Sequence, residues 1–207
     1  MFTKSYQITD PVLLKEISIN MADGFYEDPV WNWVFMKHSS QKRQENLQWM
    51  IRKILSICIR DGIVYSTLSE ITGGAAWLSP GQEISFLKMV RSGLIYLPFK
   101  FGISATVKIL KIVFIAQRFR KQNHLMQTYY LSQLAISRKY QGKGLGRLLL
   151  EPVLIKCDAE KCVAYLESSN KENLSFYEKM GFQILQSTSL DQAGPDLYFL
   201  VRKPGNV

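Results

Sequence analysis

The 207-residue sequence lacks an apolar run long enough to cross a membrane. A helical span needs roughly 18 or more predominantly apolar residues. Residues 102–117 come nearest, but Lys108 and Lys111 interrupt them. The N-terminus also lacks a basic segment followed by an apolar one and a small-residue cleavage site, which is the pattern of a secretory signal. We therefore expect a cytoplasmic protein without a transmembrane segment.

Cysteine and histidine are scarce. The three cysteines, Cys58, Cys157 and Cys162, are an odd number, and their spacing is not that of metal ligands. Neither His38 nor His124 has a cysteine neighbour in the sequence, so a zinc site has no support. We expect reduced cysteines in the core and no bound metal.

One long segment lacks acidic residues altogether. Between Ile84 and Met126 there is no Asp or Glu, whereas eight basic residues occur there: Lys88, Arg91, Lys100, Lys108, Lys111, Arg118, Arg120 and Lys121. The formal net charge is +9, so this segment carries all but one of the excess positive charges. A local excess is not the broad basic surface typical of nucleic-acid-binding proteins, and we expect no nucleic-acid partner.

Three glycines stand at alternate positions after an apolar strand. Gly142, Gly144 and Gly146 lead into a predicted helix, and glycine lets a backbone turn tightly or approach a ligand closely. The N-terminus of the helix offers unpaired N–H groups and the positive end of its dipole. Because Lys143 and Arg147 add positive charge, this segment predicts a binding site for a phosphate or diphosphate.

Two other phosphate-binding motifs fit less well. A nucleoside-triphosphate loop needs Lys followed by Ser or Thr after its last glycine, but Arg147 and Leu148 follow Gly146. The dinucleotide fingerprint needs a glycine at its sixth position, which is Arg147 when counted from Gly142. Glu167 does lie roughly 20 residues further on, as a ribose-binding acid would, so this fingerprint is weakened without being excluded.

The pattern Gln141-x-x-Gly144-x-Gly146 after a strand resembles the acetyl-coenzyme A motif of the GNAT superfamily of N-acetyltransferases. A second match, Asn170 and then the run from Phe176 to Phe182, follows at the expected distance. Both motifs occur in the right order, joined by one helix and one strand. Within the superfamily, residues 129–182 are most similar to puromycin N-acetyltransferase and its bacterial relatives.

The resemblance implies an α/β fold with a mixed, splayed central sheet flanked by helices, and a helical insertion between the third and fourth strands. It implies a single acetyltransferase domain over residues 1–207. This domain would comprise an N-terminal half with acceptor-side helices, the basic helical insertion and an acetyl-CoA-binding half: residues 1–80, 81–127 and 128–207. The insertion contains a predicted helix with an apolar stripe that we expect to pack against the sheet. The stripe consists of Ile103, Val107, Leu110 and Phe114.

The resemblance also implies that acetyl-CoA binds as a co-substrate. The backbone of Leu134, Ala135 and Ile136 would pair with its pantetheine arm. Asn170 would steady that arm from the neighbouring strand. The diphosphate would be held by the glycine-rich segment, which comprises Gln141, Gly142, Lys143, Gly144, Leu145, Gly146 and Arg147.

Two residues are candidates for acid–base catalysis. Tyr177 matches the family tyrosine that faces the thioester sulfur as general acid, although ordinary packing in the core would also explain it. Glu167 is the best candidate for the general base, because alternation with Val163 and Tyr165 places it on one face of a strand near the splay. An ion pair of Glu167 with Arg138 or another cation is the alternative.

Aromatic and acidic residues concentrate between Phe25 and Trp33, where the sequence predicts a helix start. Tyr26, Asp28 and Trp31 are suited to binding a cationic amine, although packing in the core is the favoured explanation for Trp31 and Trp33. The implied function is direct transfer of an acetyl group from acetyl-CoA to a primary amine of a small molecule, or of a peptide. A catalytically idle acyl-CoA-binding module and a peripheral protein of anionic surfaces are the alternatives. The oligomeric state is left open between monomer and homodimer.

Overall fold

The computed structural model describes residues 4–68 and 70–205. Its strands form one seven-stranded sheet in the order β1-β2-β3-β4-β5-β7-β6, in which β4 and β5 are parallel and every other neighbouring pair is antiparallel. The strands are β1 Ser5–Gln7, β2 Gly62–Thr67, β3 Gly73–Leu78, β4 Tyr129–Ile136, β5 Ala164–Ser168, β6 Gln183–Ser189 and β7 Asp196–Arg202. The predicted mixed sheet is therefore confirmed. Residues 2–8 alternate weakly between apolar and polar, which predicts a first strand, but Phe2 and Thr3 lie outside the described residues.

The helices cover both faces of this sheet. They are α1 Leu14–Gly24, α2 Pro29–Val34, α3 Ser40–Asp61, α4 Phe86–Ser92, α5 Leu97–Gln122, α6 Leu145–Ala159 and α7 Leu174–Lys179. Helices α1, α3 and α5 contribute to one hydrophobic core, and α6 and α7 contribute to a second. Along β3, Ala76 belongs to the first core and Trp77 to the second, as the alternation of side chains in a strand requires. None of the described helices has the length and apolar content needed to cross a bilayer.

The parallel strands β4 and β5 separate after three residue pairs. Their pairing ends at Leu131 and Leu166, whereas β4 continues to Ile136. On the other side of β4, the register with β3 skips Ser132, which forms a β-bulge. The predicted splay of the sheet is therefore confirmed, and it leaves an opening between the two strands.

The connection from β3 to β4 contains α4 and α5, which confirms the predicted helical insertion. Ser85 caps α4, and Gly102, with φ 80° and ψ 165°, interrupts the helical backbone of α5. The orientation predicted for α5 is wrong, because its predicted stripe is exposed: Ile103, Val107, Leu110 and Phe114.

The opposite side of α5 packs on the protein instead. The ring of Phe119 stacks on that of Phe199 in β7, with centroids 3.9 Å apart, and Ala105 and Ile109 are buried beside the same core. Phe119 therefore packs against the sheet, whereas the four residues of the predicted stripe are exposed. The sequence offers apolar residues on both sides of this helix, so its periodicity alone did not identify the buried one.

Candidate active site

A cavity of about 510 Å³ adjoins the end of β4 beside the splay. We call it the larger cavity. Its wall includes parts of β4, the turn before α6, Asn170, α7 and the segment between α1 and α2. It includes most of the residues predicted to bind the cofactor, namely Leu134, Ala135, Ile136, Gln141, Gly142, Gly144, Leu145, Gly146, Asn170 and Tyr177. Lys143 and Arg147 are not part of this wall.

The turn into α6 leaves room for a ligand at two of its glycines. Gly142 and Gly144 have φ angles of 73° and 75°, in the left-handed region that favours glycine. No heavy atom lies within 4 Å of the position that a Cβ would take at either residue, so a side chain there would project into the cavity. Gly146 differs, because its Cβ would lie 3.1 Å from the Phe176 ring, which indicates close packing of α6 and α7.

The polar side chains around this turn have different partners. Gln141 donates from Nε2 to the Ile136 carbonyl at 2.9 Å, which ties the turn to the end of β4. The Nζ of Lys143 lies 5.3 Å from the centre of the Tyr140 ring, and Arg147 forms an ion pair with Glu151 at 3.6 Å. Both cations therefore stand near the turn without lining the cavity.

Arg138 is a cation on the cavity wall that the sequence reasoning did not propose for binding. Asp23 holds it in place by accepting from Nε at 3.0 Å, from an Nη at 2.8 Å and from the Arg138 backbone N–H at 2.9 Å. The alternative ion pair of Glu167 with Arg138 is therefore wrong. The sequence does show a basic residue in the loop after β4. It does not show that Arg138 is held by Asp23, because Asp23 lies on α1, more than a hundred positions away in the sequence.

A smaller cavity of about 170 Å³ lies against the same opening of the sheet. Its wall includes Trp31 of α2, Ile112 of α5, and polar residues of β4 and β5 such as Gln133 and Glu167. Five residues line both cavities, which therefore adjoin each other: Phe25, Asp28, Leu134, Asn173 and Tyr177.

Asp28 stands where the two cavities meet. Its carboxylate caps α2 by accepting from the backbone N–H groups of Val30 at 3.0 Å and Trp31 at 3.2 Å. Burial raises the pKa of Asp28 to about 6, although the bonds from Trp31, Ser169 and Val30 favour the charged form. A carboxyl with this pKa can accept a proton near neutral pH, a role that the sequence reasoning had assigned to Glu167 alone.

Tyr177 is the second residue shared by both cavities that can transfer a proton. It is buried, and its ring makes edge contacts with Phe176 and Phe182 at centroid distances of 5.2 and 6.0 Å. Burial and the negative charge of Asp28 raise the pKa of the Tyr177 hydroxyl above its usual value. Tyr177 therefore keeps its proton at neutral pH, and its packing in the core is compatible with a role as proton donor.

Glu167 lines the smaller cavity, and its neighbouring cation is Arg120. Burial raises the pKa of Glu167, while the hydroxyls of Tyr130 and Tyr165 and the Arg120 guanidinium act in the opposite direction. Arg120 is itself buried and lies 4.4 Å from the centre of the Tyr130 ring. It comes from the inserted helix α5, so the insertion supplies a charge close to this site.

The predicted acceptor residues are not all in one place. Asp28 and Trp31 line the smaller cavity, whereas Tyr26 is on the wall of neither cavity. The guanidinium groups of Arg43 and Arg138 lie 4.5 and 4.3 Å from the centre of the Tyr26 ring. Tyr26 therefore contacts Arg138, which lines the larger cavity, but Tyr26 itself lines neither cavity.

Cysteine and histidine contribute no cluster in the described part of the chain. No three or more His, Cys, Asp or Glu side chains are grouped there as metal ligands would be. The three cysteines are free, and burial raises the pKa of both the Cys58 and the Cys157 thiol to about 12. Neither of these two thiols is therefore disposed to act as a nucleophile.

Known proteins with a similar sequence or fold include acetyltransferases. Residues 106–184 match the family model described as an acetyltransferase (GNAT) domain. Residues 106–184 are therefore similar to a GNAT acetyltransferase domain. It is 28% identical over 197 residues to an uncharacterised N-acetyltransferase of Schizosaccharomyces pombe, covering 92% of this chain and 79% of that protein. Members of this family transfer acetyl groups from acetyl-CoA, and the protein is an acyltransferase.

Solved structures show the same fold over the whole chain. A Corynebacterium glutamicum structure, described as histone acetyltransferase HPA2 and related acetyltransferase, has a TM-score of 0.70 at 19% identity and covers 100% of this chain and 99% of its own. A Drosophila melanogaster polyamine N-acetyltransferase has a TM-score of 0.65 at 14% identity, with coverage of 96% and 98%. These likenesses confirm the GNAT fold.

Proposed function

We propose that the protein transfers an acetyl group directly from acetyl-CoA, bound in the larger cavity, to a primary amine of a small molecule in the smaller cavity. The observation that carries this proposal is the position of Asp28 and Tyr177, which line both cavities. A base and an acid are both needed where an amine and an acyl donor meet, because the amine loses a proton and the departing sulfur gains one.

The larger cavity suits acetyl-CoA, which supplies an acetyl group activated as a thioester. The backbone of the turn at Gly142 and Gly144 is open to a diphosphate, since no side chain occupies that space. The end of β4, from Leu134 to Ile136, lies beyond the last residue pair with β5, so this part of the strand can accept an extended arm beside it. Arg138 adds a positive charge to the same wall.

Asp28 is the proposed general base and Tyr177 the proposed general acid. Above a pH of about 6, the Asp28 carboxylate is ionised and can take the proton of an amine in the smaller cavity. The Tyr177 hydroxyl retains its proton at neutral pH and can donate it on the side of the larger cavity. Glu167 is the second candidate base, because its pKa is also raised.

The smaller cavity favours a small polar acceptor. Its volume of about 170 Å³ is below the range typical of sites for drug-sized ligands, which begins at about 300 Å³. Two oxygen atoms of its lining residues, Oε1 of Gln133 and Oε1 of Glu167, have no hydrogen-bond partner among the described residues. Buried acceptors of this kind are stabilised by donors. We therefore expect an acceptor that carries an N–H or O–H group besides the reacting amine.

A panel of amines tests the proposed reaction. The purified protein is mixed with acetyl-CoA and a monoamine, a diamine, an amino alcohol or a lysine-containing peptide, and the free thiol released is measured. Thiol release with the small polar amines, and less with the peptide, is the expected result. A protein that binds acetyl-CoA but releases no thiol with any acceptor would instead be the catalytically idle module.

Several expectations from the sequence stay predictions. They are the particular similarity of residues 129–182 to puromycin N-acetyltransferase, the division of one domain into residues 1–80, 81–127 and 128–207, the cytoplasmic location, and the choice between monomer and homodimer. Binding of a diphosphate by Lys143 and Arg147 likewise stays a prediction.

A further inference from the structure

The outward side of α5 carries an unusual set of exposed side chains. Ile103, Val107, Leu110 and Phe114 are 78%, 57%, 47% and 64% exposed, and their spacing of four, three and four residues places them on one side of the helix. Arg118 and Lys121 continue the same side toward the C-terminus of the helix, and both are exposed. We call these six residues the α5 outer face.

The α5 outer face cannot turn inward without disrupting the fold. The other side of the helix stacks Phe119 on Phe199 with centroids 3.9 Å apart, and it contributes Ile112 to the wall of the smaller cavity. Arg120 is buried on that side as well. The exposed apolar residues are therefore a fixed property of the surface, and exposed apolar patches of this kind mark interaction sites.

The charges around the α5 outer face decide which partner fits. The sequence has no acid between Ile84 and Met126, and neither Arg118 nor Lys121 pairs with an acid within residues 4–68 and 70–205. On the flank of the helix, Lys111 pairs with Asp191 at 3.8 Å. A second copy of the same face would bring uncompensated cations together, which is unfavourable. A partner with both negative charge and an apolar interior avoids this cost.

We propose that the α5 outer face docks the protein onto an anionic lipid surface. The apolar side chains would enter the boundary between headgroups and acyl chains, and Arg118 and Lys121 would contact anionic headgroups. Lys100, which is exposed before the interruption at Gly102, adds a cation at the other end of the helix. Because Ile112 on the inner side lines the smaller cavity, docking brings the bilayer close to the outside of the acceptor site.

Vesicle co-sedimentation of the full chain tests this proposal. The vesicles contain phosphatidylcholine alone, or phosphatidylcholine with about 30% phosphatidylserine. We expect binding to the anionic vesicles only, with loss of binding above roughly 0.5 M salt. Two double variants test the apolar and the basic part of the face separately. The first combines Val107→Ser with Phe114→Ser, and the second combines Arg118→Gln with Lys121→Gln. Each should lower the affinity for anionic vesicles about tenfold or more.

Ile155→Ser is the matched control, because Ile155 is 63% exposed on α6, close to the 64% of Phe114. It should leave vesicle binding unchanged, and circular dichroism should show that all variants are folded. The proposal is overturned if the parent protein does not bind anionic vesicles, or if Ile155→Ser weakens binding as much as the α5 variants. It is also overturned if the parent forms a dimer that Val107→Ser with Phe114→Ser dissociates, since the face then belongs to a second copy. Acetyl transfer to free amines is measured without vesicles, so that a failure of vesicle binding can be distinguished from a failure of the proposed function.

Discussion

The Ser169 hydroxyl donates to both carboxylate oxygens of Asp28, at 3.2 Å in each case, across 141 positions of sequence. This contact joins the start of α2 to the segment after β5. It holds the Asp28 carboxyl in buried surroundings where its pKa is raised to about 6. The proton-accepting property of Asp28 is therefore a result of long-range packing.

The first prediction concerns the pH dependence of catalysis. In the parent protein, kcat/KM should rise as the pH increases through about 6, because the Asp28 carboxyl must lose its proton to act as a base. Asp28→Asn should lower kcat/KM about 100-fold or more and remove this acidic limb, while Asn still caps α2. The measurement is thiol release between pH 5 and pH 8.

Glu167→Gln is the control for that prediction, because Glu167 lines the smaller cavity but not the larger one. It should keep the acidic limb near pH 6. If Asp28→Asn kept the limb and Glu167→Gln abolished it, Glu167 would be the base and Asp28 a structural cap.

The second prediction concerns stability. The Asp28 pKa is raised from 3.8 to about 6 on folding, so between these values the folded state binds the proton more tightly than the unfolded state. The free energy of unfolding should therefore contain a contribution that falls as the pH rises from about 4 to 6, by about 3 kcal/mol in total. Urea denaturation of the parent and of Asp28→Asn at pH 4.5 and pH 7 isolates this contribution of Asp28. The same difference in stability between the two proteins at both pH values would contradict this linkage.

The third prediction concerns the proposed acid. Tyr177→Phe keeps the ring that packs on Phe176 and Phe182 but removes the proton, so turnover should fall about 100-fold with little change in acetyl-CoA affinity. Thiol release gives the turnover, and isothermal titration calorimetry gives the affinity. Turnover within about twofold of the parent would assign Tyr177 to core packing alone.

The fourth prediction concerns the glycine turn. Gly144→Glu should abolish acetyl-CoA binding, because its side chain would project into the larger cavity and repel a diphosphate. Gly144→Gln is the matched control, since it has nearly the same size and the same strain at φ 75° without the charge. We expect it to bind acetyl-CoA more weakly than the parent and more tightly than Gly144→Glu. Parent-like affinity in a folded Gly144→Glu protein, measured by calorimetry, would exclude the turn as the diphosphate site.

The fifth prediction concerns the anchor of the C-terminal strand. Arg202 forms two hydrogen bonds of 2.7 Å to Asp158 on α6, and these bonds hold the pKa of Asp158 below its usual value. Arg202→Gln should lower the free energy of unfolding at pH 7 by about 1–2 kcal/mol. Because the Asp158 pKa is depressed on folding, this stabilisation is present above its unfolded pKa and is lost as the pH falls through the lower folded value. Denaturation curves of both proteins that coincide at pH 7 would contradict this assignment.

The sequence by itself determined the local features of the protein. Asp10, Asp28, Ser39 and Ser85 cap helical segments, and Asp and Ser are residue types that favour the N-cap position. The turn before α6 adopts left-handed backbone angles at glycines that the sequence supplies. These features depend on residues a few positions apart, so composition and spacing suffice to predict them. The acetyl-CoA motif was recognisable for the same reason.

Tertiary structure alone decided the properties that depend on distant residues. The pKa of Asp28 is raised by burial, against the opposing effect of the Ser169 hydrogen bond. The cation near Glu167 is Arg120 of the insertion rather than Arg138, which pairs with Asp23. The buried side of α5 was likewise decided by the fit of Phe119 on Phe199 in β7. Burial and charge pairing are set by neighbours in space, and in each of these cases those neighbours are tens to more than a hundred positions away in the chain.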